Sequence, residues 1–169
     1  GTVYRRFATK EELVEAIFES GVDEVVCLAE AALRHEDSWE GFVWFVERQC
    51  LLTATDRGLR EMVYSKAYGG NRVERVRERL APLMKELVER ARRDGYLRPD
   101  VESTDMPVIG LLAGTVGEWA GDVDPELWRR YVELLLEGMR CRPDQKPLDV
   151  DALGEEQMHA AMHGWDPSG

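Results

Sequence analysis

From Thr9 onward the apolar residues of this chain recur every three or four positions and nowhere alternate, and that regularity leaves only helices to build with. The first series is Leu13, Ile17, Gly21, Val25, Leu28 and Ala32. Thr9 with Glu12 three residues on forms a capping box, so a helix is predicted from about Lys10 to about Leu33, with Gly21 as a point of bending. Asp37-Ser38 offers the next cap. Trp39, Phe42, Trp44 and Phe45 fall within the following seven residues, too aromatic a run for a solvated helix, and this segment extends to Thr55. A shorter segment, Leu59 to Ala67, stops at the turn signal Gly69-Gly70-Asn71. The next apolar set, Val73, Val76, Leu80, Leu83, Met84, Leu87, Val88 and Ala91, marks a long amphipathic helix with charges of both signs on its outer face. Pro82 is expected to bend it, and Asp94-Gly95 to close it with a C-terminal glycine. Two more helices follow, Met106 to Ala120 and, after the Asp124-Pro125 start signal, Leu127 to about Arg140. Beyond Arg142 the chain carries Pro143, Pro147 and Pro167, and only Glu155 to Met162 reads as helical. The fold class is all-α.

At 169 residues one domain, or one domain with a small appendage, is expected. No apolar run approaches the roughly 18 residues of a membrane span, and the N-terminus lacks the layout of a secretory leader, so a cytoplasmic protein with no membrane partner is expected. Cys27, Cys50 and Cys141 are odd in number, widely spaced and free of any Cys-x-x-Cys pair, so neither a disulfide nor a zinc site is expected. A formal net charge of -11 argues against nucleic-acid binding by the bulk of the molecule, because phosphate contact needs clustered cations. The first ten residues escape that objection: they hold Arg5, Arg6 and Lys10 and no acid.

Gly1-Thr-Val-Tyr-Arg-Arg-Phe7, followed by the capped Thr-Lys-Glu-Glu-Leu helix, resembles the end of the DNA-binding domain in the TetR family of transcriptional regulators. Arg92-Arg-Asp-Gly-Tyr-Leu-Arg-Pro-Asp100 and the stretch Leu127 to Arg140 resemble the regulatory domain of actinobacterial members. The resemblance spans Gly1 to about Arg140, and the tail Glu155 to Trp165 is similar to that group as well. It implies the C-terminal part of a helix-turn-helix domain at residues 1–18, a helical ligand-binding and dimerisation domain at 19–141, and a tail with a short helix at 142–169. Family members carry two further helices, about forty residues, before this point. By the same resemblance Thr2, Tyr4 and Arg6 stand at DNA-contact positions, and Lys10 lies where a helix N-terminus and a cation can grip one phosphate.

Read from spacing alone, Phe42, Val46, Gln49 and Thr53 share a helix face at steps of four, three and four, two polar groups along an apolar stripe that suit the wall of a small-molecule cavity. Met62, Leu83, Leu87 and Trp119 are candidate opposite walls. The plainer reading of these aromatics is core. Small residues at four-residue spacing, Gly110, Ala113, Gly114 and Gly117, let two helix backbones approach closely, and with Trp128, Tyr131 and Leu135 of the next helix they form the expected homodimer interface. His159 and His163 stand four apart, with a Glu-x-x-His at Glu156 to His159, but no second such motif accompanies them, so surface histidines are the better reading and no metal is expected. No Gly-rich phosphate loop, nucleophile elbow or catalytic triad is present, so no catalytic residue and no cofactor is expected. The resulting expectation is a homodimeric repressor that a small apolar effector releases from a palindromic double-stranded operator. The alternatives are a stand-alone helical module that binds a small molecule or partner without DNA, and a helical metalloenzyme.

Overall fold

The computed structural model describes the backbone of residues 10–64 and 71–164, and the side chains of residues 21, 23–60 and 78–162. Seven helices occur among them: α1 (Lys10–Leu33), α2 (Ser38–Thr55), α3 (Arg57–Tyr64), α4 (Asn71–Arg93), α5 (Asp105–Ala120), α6 (Leu127–Met139) and α7 (Glu155–Gly164). The described residues contain no strand. An isolated antiparallel bridge joins Leu97 to Arg140. All-α is therefore the fold, and α2 and the far end of α4 begin and end where their capping signals predict; the Thr9–Glu12 capping box and the Gly69-Gly70 turn lie outside the described residues, and α5 and α6 start without a side-chain cap.

Three junctions have a local cause. Asp37 sits extended ahead of α2, and its carboxylate accepts a hydrogen bond from the Glu40 backbone N–H at 2.8 Å, satisfying one of the orphan donors of the first turn. Asp56 serves two helices. Its own N–H donates to Leu52 O at 2.9 Å, ending α2, and its carboxylate accepts from Leu59 N at 2.9 Å, starting α3. The two helices thus join through a single residue. Helix α4 runs through Pro82 unbroken; Pro82 and Glu78, whose carbonyl loses its partner there, are both exposed, so water can take up the lost bond. Its far end is closed by Gly95 at φ +80°, the left-handed region that favours glycine, with the Tyr96 N–H donating back to Ala91 O at 3.0 Å.

Packing divides the helices into two main pairs. α1 lies along α4, α2 lies along α5, and α6 closes over α5 and α2. The core between them is built from Phe42, Phe45 and Val46 of α2, Leu87 and Val88 of α4, Met106 and Ile109 of α5, and Trp128, Val132 and Leu136 of α6. α3 touches α1, α2 and α5, and α7 packs on α3.

Two arginines hold the periphery. Arg90 of α4 donates to Leu33 O at 2.8 Å, His35 O at 2.6 Å and Glu36 O at 2.8 Å, so its guanidinium caps the end of α1 and holds the connection that follows it. Tyr96 donates its hydroxyl to Asp37 at 3.2 Å and steadies the same corner. Arg98, buried, holds Asp100 with its guanidinium and donates to Lys146 O at 2.9 Å, while Asp100 accepts from Leu148 N at 2.8 Å. That knot fastens the tail to the end of α6. Arg98 and then the Leu148 N–H hold the Asp100 carboxyl down to about 2, against the opposing pull of partial burial.

Candidate functional site

The α2 stripe forms as the spacing predicts: Phe42, Val46, Gln49 and Thr53 are all buried on one face. That face is turned onto α5. Gln49 Nε2 donates to Met106 O at 3.2 Å, and Thr53 Oγ1 reaches Gly110 O at 2.9 Å. Cys50 Sγ lies 4.0 Å from Ile109 O, and burial, with the charge of Glu47, pushes its thiol up to about 12. The two polar groups expected to orient a ligand instead hold the backbone of α5, because a buried amide or hydroxyl takes the nearest free acceptor. Of the proposed opposite walls, Leu87 is core and Leu83 is half-buried against it, whereas the Met62 side chain lies outside the described residues. Trp119 corrects the expectation: it is 79% exposed, on the outer face of α5, and cannot line an interior wall with α2.

The glycine row also faces inward. A Cβ on Gly114 would lie 2.5 Å from Arg60 Cδ and 3.1 Å from Thr53 O, and one on Gly117 would lie 2.8 Å from Ala54 O. Gly110 and Ala113 are buried in the same seam. The close approach read from the sequence is real, but it is α5 against α2 of the same chain, so Gly110, Ala113, Gly114 and Gly117 are not available to a second copy. Trp128 is likewise core, 1% exposed, with the Arg129 guanidinium 4.6 Å above its ring. A spacing of four reports closeness to some helix and does not say which. Tyr131 remains exposed and Leu135 half-buried.

The outer surface carries what the inner face does not. Val108, Leu112 and Trp119 follow one another along α5, Val123 follows in the turn, and Tyr131 and Leu134 stand on α6, all exposed. Five large apolar side chains on two adjacent helices, with a sixth in the turn between them, exceed what scattered surface residues account for.

Three arginines hold helix ends and connections without having stood out in the sequence. Beside Arg90 and Arg98, Arg60 of α3 is buried, donating to Thr53 O at 2.8 Å at the end of α2 and to Glu118 of α5 at 3.1 Å. In the sequence each is one cation among many; only the helix ends that they cap set them apart. Thr2, Tyr4 and Arg6, and the side chain of Lys10, lie outside the described residues. His159 is exposed on α7, the His163 side chain lies outside the described residues, and among the described residues no cluster of three or more His, Cys, Asp or Glu could hold a metal ion. No described helix is long and apolar enough to cross a membrane.

The described residues form an all-helical body with a paired-helix core and an apolar outer face. The family model described as the C-terminal domain of SbtR-like transcriptional regulators matches residues 37–141, and the chain belongs to that branch of the TetR family. It is a transcriptional regulator by that membership. The crystal structure of the TetR transcriptional regulator SCO0520 from Streptomyces coelicolor has the same fold, with a TM-score of 0.63, 23% identity, and 83% of this chain and 80% of that chain covered. No curated protein matches the chain in sequence.

Proposed function

We propose that this chain acts as a cytoplasmic homodimeric repressor that binds a palindromic double-stranded operator and is released by a small apolar effector. The observation that carries the reading is the exposed row Val108, Leu112 and Trp119 with Tyr131 and Leu134 beside it, an apolar face on α5 and α6 that a second copy would cover. A stable dimer buries roughly 1,600 Å² in total, within reach of two such helices from each protomer. Leu135 sits at the edge of that face. Two-fold pairing places two readers about one DNA turn apart, which is what a palindromic site demands. At the other end, Thr2, Tyr4 and Arg6 contact DNA and Lys10 grips a phosphate.

The effector enters between the α1–α4 pair and the α2–α5 pair, where Leu83 and Leu87 lie against the aromatic α2. Prying that seam shifts α1, the helix that follows the basic segment, relative to the pairing face. A differential affinity of about 1–3 kcal/mol for the shifted arrangement suffices for a useful switch.

Sedimentation of the full-length protein at micromolar concentration tests the pairing, with Leu112→Arg as the comparison. A dimer that Leu112→Arg converts to folded monomer is expected, together with loss of affinity for an operator recovered by selection from random duplexes. An unmodified protein that sediments as a clean monomer would sink the reading.

A further inference from the structure

Beyond α6 the chain is fastened at two points. At the first, Arg98 donates to Lys146 O at 2.9 Å and Asp100 accepts from Leu148 N at 2.8 Å, on the connection that leads into α5. At the second, α7 packs on α3 with Met158 buried, and α3 meets α5 towards its other end, where Arg60 holds Glu118. Leu148 to Glu155 is seven steps of chain, at most about 25 Å. α5 rises about 20 Å from Asp105 to Glu118, so the segment travels along α5 with little slack. Between its fastenings, residues 149–153 make no hydrogen bond among the described residues. Yet Leu148, Val150 and Leu153 are 53%, 79% and 41% exposed. A segment held at both ends and left apolar in its middle has a surface still to be covered.

We infer that residues 148–153 form a strap that completes the pairing surface for a second copy of this chain. Leu148, Val150 and Leu153 of each protomer cover the edge of the other's α6, with Asp149 and Asp151 set against its Arg130. The inference rests on the pairing through α5 and α6 proposed above. Continuity supports it, because the strap runs beside the helix that carries Val108, Leu112 and Trp119. Interface size supports it as well. α5 exposes five residues and α6 seven, and the rest of an interface of about 20–30 residues a side must come from their half-buried edges and from what lies beside them. Charge selects the register. Each copy carries a formal net charge of -11, so acids are accommodated between two copies where a cation answers them. Arg130 stands one turn before Leu134, exposed, and neither it nor Asp149 or Asp151 has an ion pair among the described residues.

The dimer dissociation constant of the full-length protein, from sedimentation equilibrium, is the readout. Val150→Ser and Leu153→Ser each trim a side chain exposed in the protomer, and two-fold symmetry counts each loss twice. Each is expected to raise the constant about tenfold or more, with the melting temperature of the diluted monomer unchanged. Arg130→Glu should raise it too, and more so at low salt. Adding Asp149→Lys and Asp151→Lys to Arg130→Glu should bring the constant back towards that of the parent. Serine variants that dimerise as tightly as the parent overturn the inference, as does an Arg130→Glu loss that the reversed strap fails to recover. A parent that is itself monomeric overturns the pairing on which the strap depends, a failure seen in the unmodified protein and so distinguishable from the other two.

Discussion

Gly117→Ala and Gly138→Ala make the same chemical change at two helical glycines and should move stability in opposite directions. In an exposed helix interior, alanine is favoured over glycine by about 1 kcal/mol. Gly138 has nothing within 4 Å of where its Cβ would stand, so it should realise most of that gain, about 0.5–1 kcal/mol. At Gly117 the new Cβ meets Ala54 O at 2.8 Å and Ala54 Cα at 3.1 Å, both backbone atoms that no rotamer change can remove. α5 would have to lift from α2 by about half an ångström, lengthening the Thr53 to Gly110 and Gln49 to Met106 hydrogen bonds that cross the same seam. Overpacking of this kind costs about 1–3 kcal/mol, so the net effect at Gly117 is a loss of up to about 2 kcal/mol. Thermal melts in one buffer should show Gly138→Ala about 1–4 °C above the parent and Gly117→Ala below it by up to about 8 °C, at about 2–4 °C per kcal/mol for a chain of this size. If the two variants rise together, the inward placement of the glycine row is wrong.

Arg90→Met keeps most of the side-chain volume but removes three hydrogen bonds from the end of α1 and the connection after it, and urea unfolding should show a loss of about 1.5–3 kcal/mol; a change under about 0.5 kcal/mol would deny Arg90 its capping role. Asp100 has a folded-state pKa of about 2 against an ordinary 3.8, so its ionised form stabilises the fold above about pH 4 and that contribution is lost as pH falls from 4 to 2. Asp100→Asn should therefore lower stability at pH 6 and flatten its decline across that window, and parallel acid titrations of the two proteins would speak against it. Cys27 and Cys141 are exposed, whereas Cys50 is buried with its thiol pushed up to about 12. A thiol-reactive dye at pH 8 should label two sites promptly and the third only on unfolding, and three equal rates by mass spectrometry would contradict the α2–α5 seam. Lys10→Ala in the full-length protein should weaken binding to all duplexes about equally and reduce the salt slope by about one, and a loss confined to one operator sequence would remove the phosphate role.

Helix positions were the most legible part of the sequence, because caps and periodicity are local: Asp37, Gly95 and the apolar stripe of α2 act on residues within a few positions of themselves. Partners were less legible. The Gly110 to Gly117 row and Trp128 mark tight packing, but a one-dimensional pattern is the same whether the second helix belongs to the same chain or another. Trp119 was misplaced for the reverse reason: a large aromatic reads as interior until the helix is rotated into its neighbours. Arg60 and Arg90 left no local trace, since each reaches backbone carbonyls more than six residues away, on α2 for Arg60 and at the end of α1 and the loop after it for Arg90, and every residue possesses a carbonyl.

The contact between α2 and α5 is made largely through the main chain of α5: Gln49 and Thr53 bind its carbonyls, and glycine and alanine supply most of its inner surface. Side chains on the opposite face of α5 therefore take little part in holding the protomer together. Val108, Leu112 and Trp119 are free to change without the interior having to be rebuilt around them. A duplicated copy of this regulator could alter its choice of partner by a few outward substitutions, becoming insulated from its sibling while the same folded body is retained. On the proposed pairing, mispairing between related regulators in one cell is then avoided at the surface, independently of the stability of the fold.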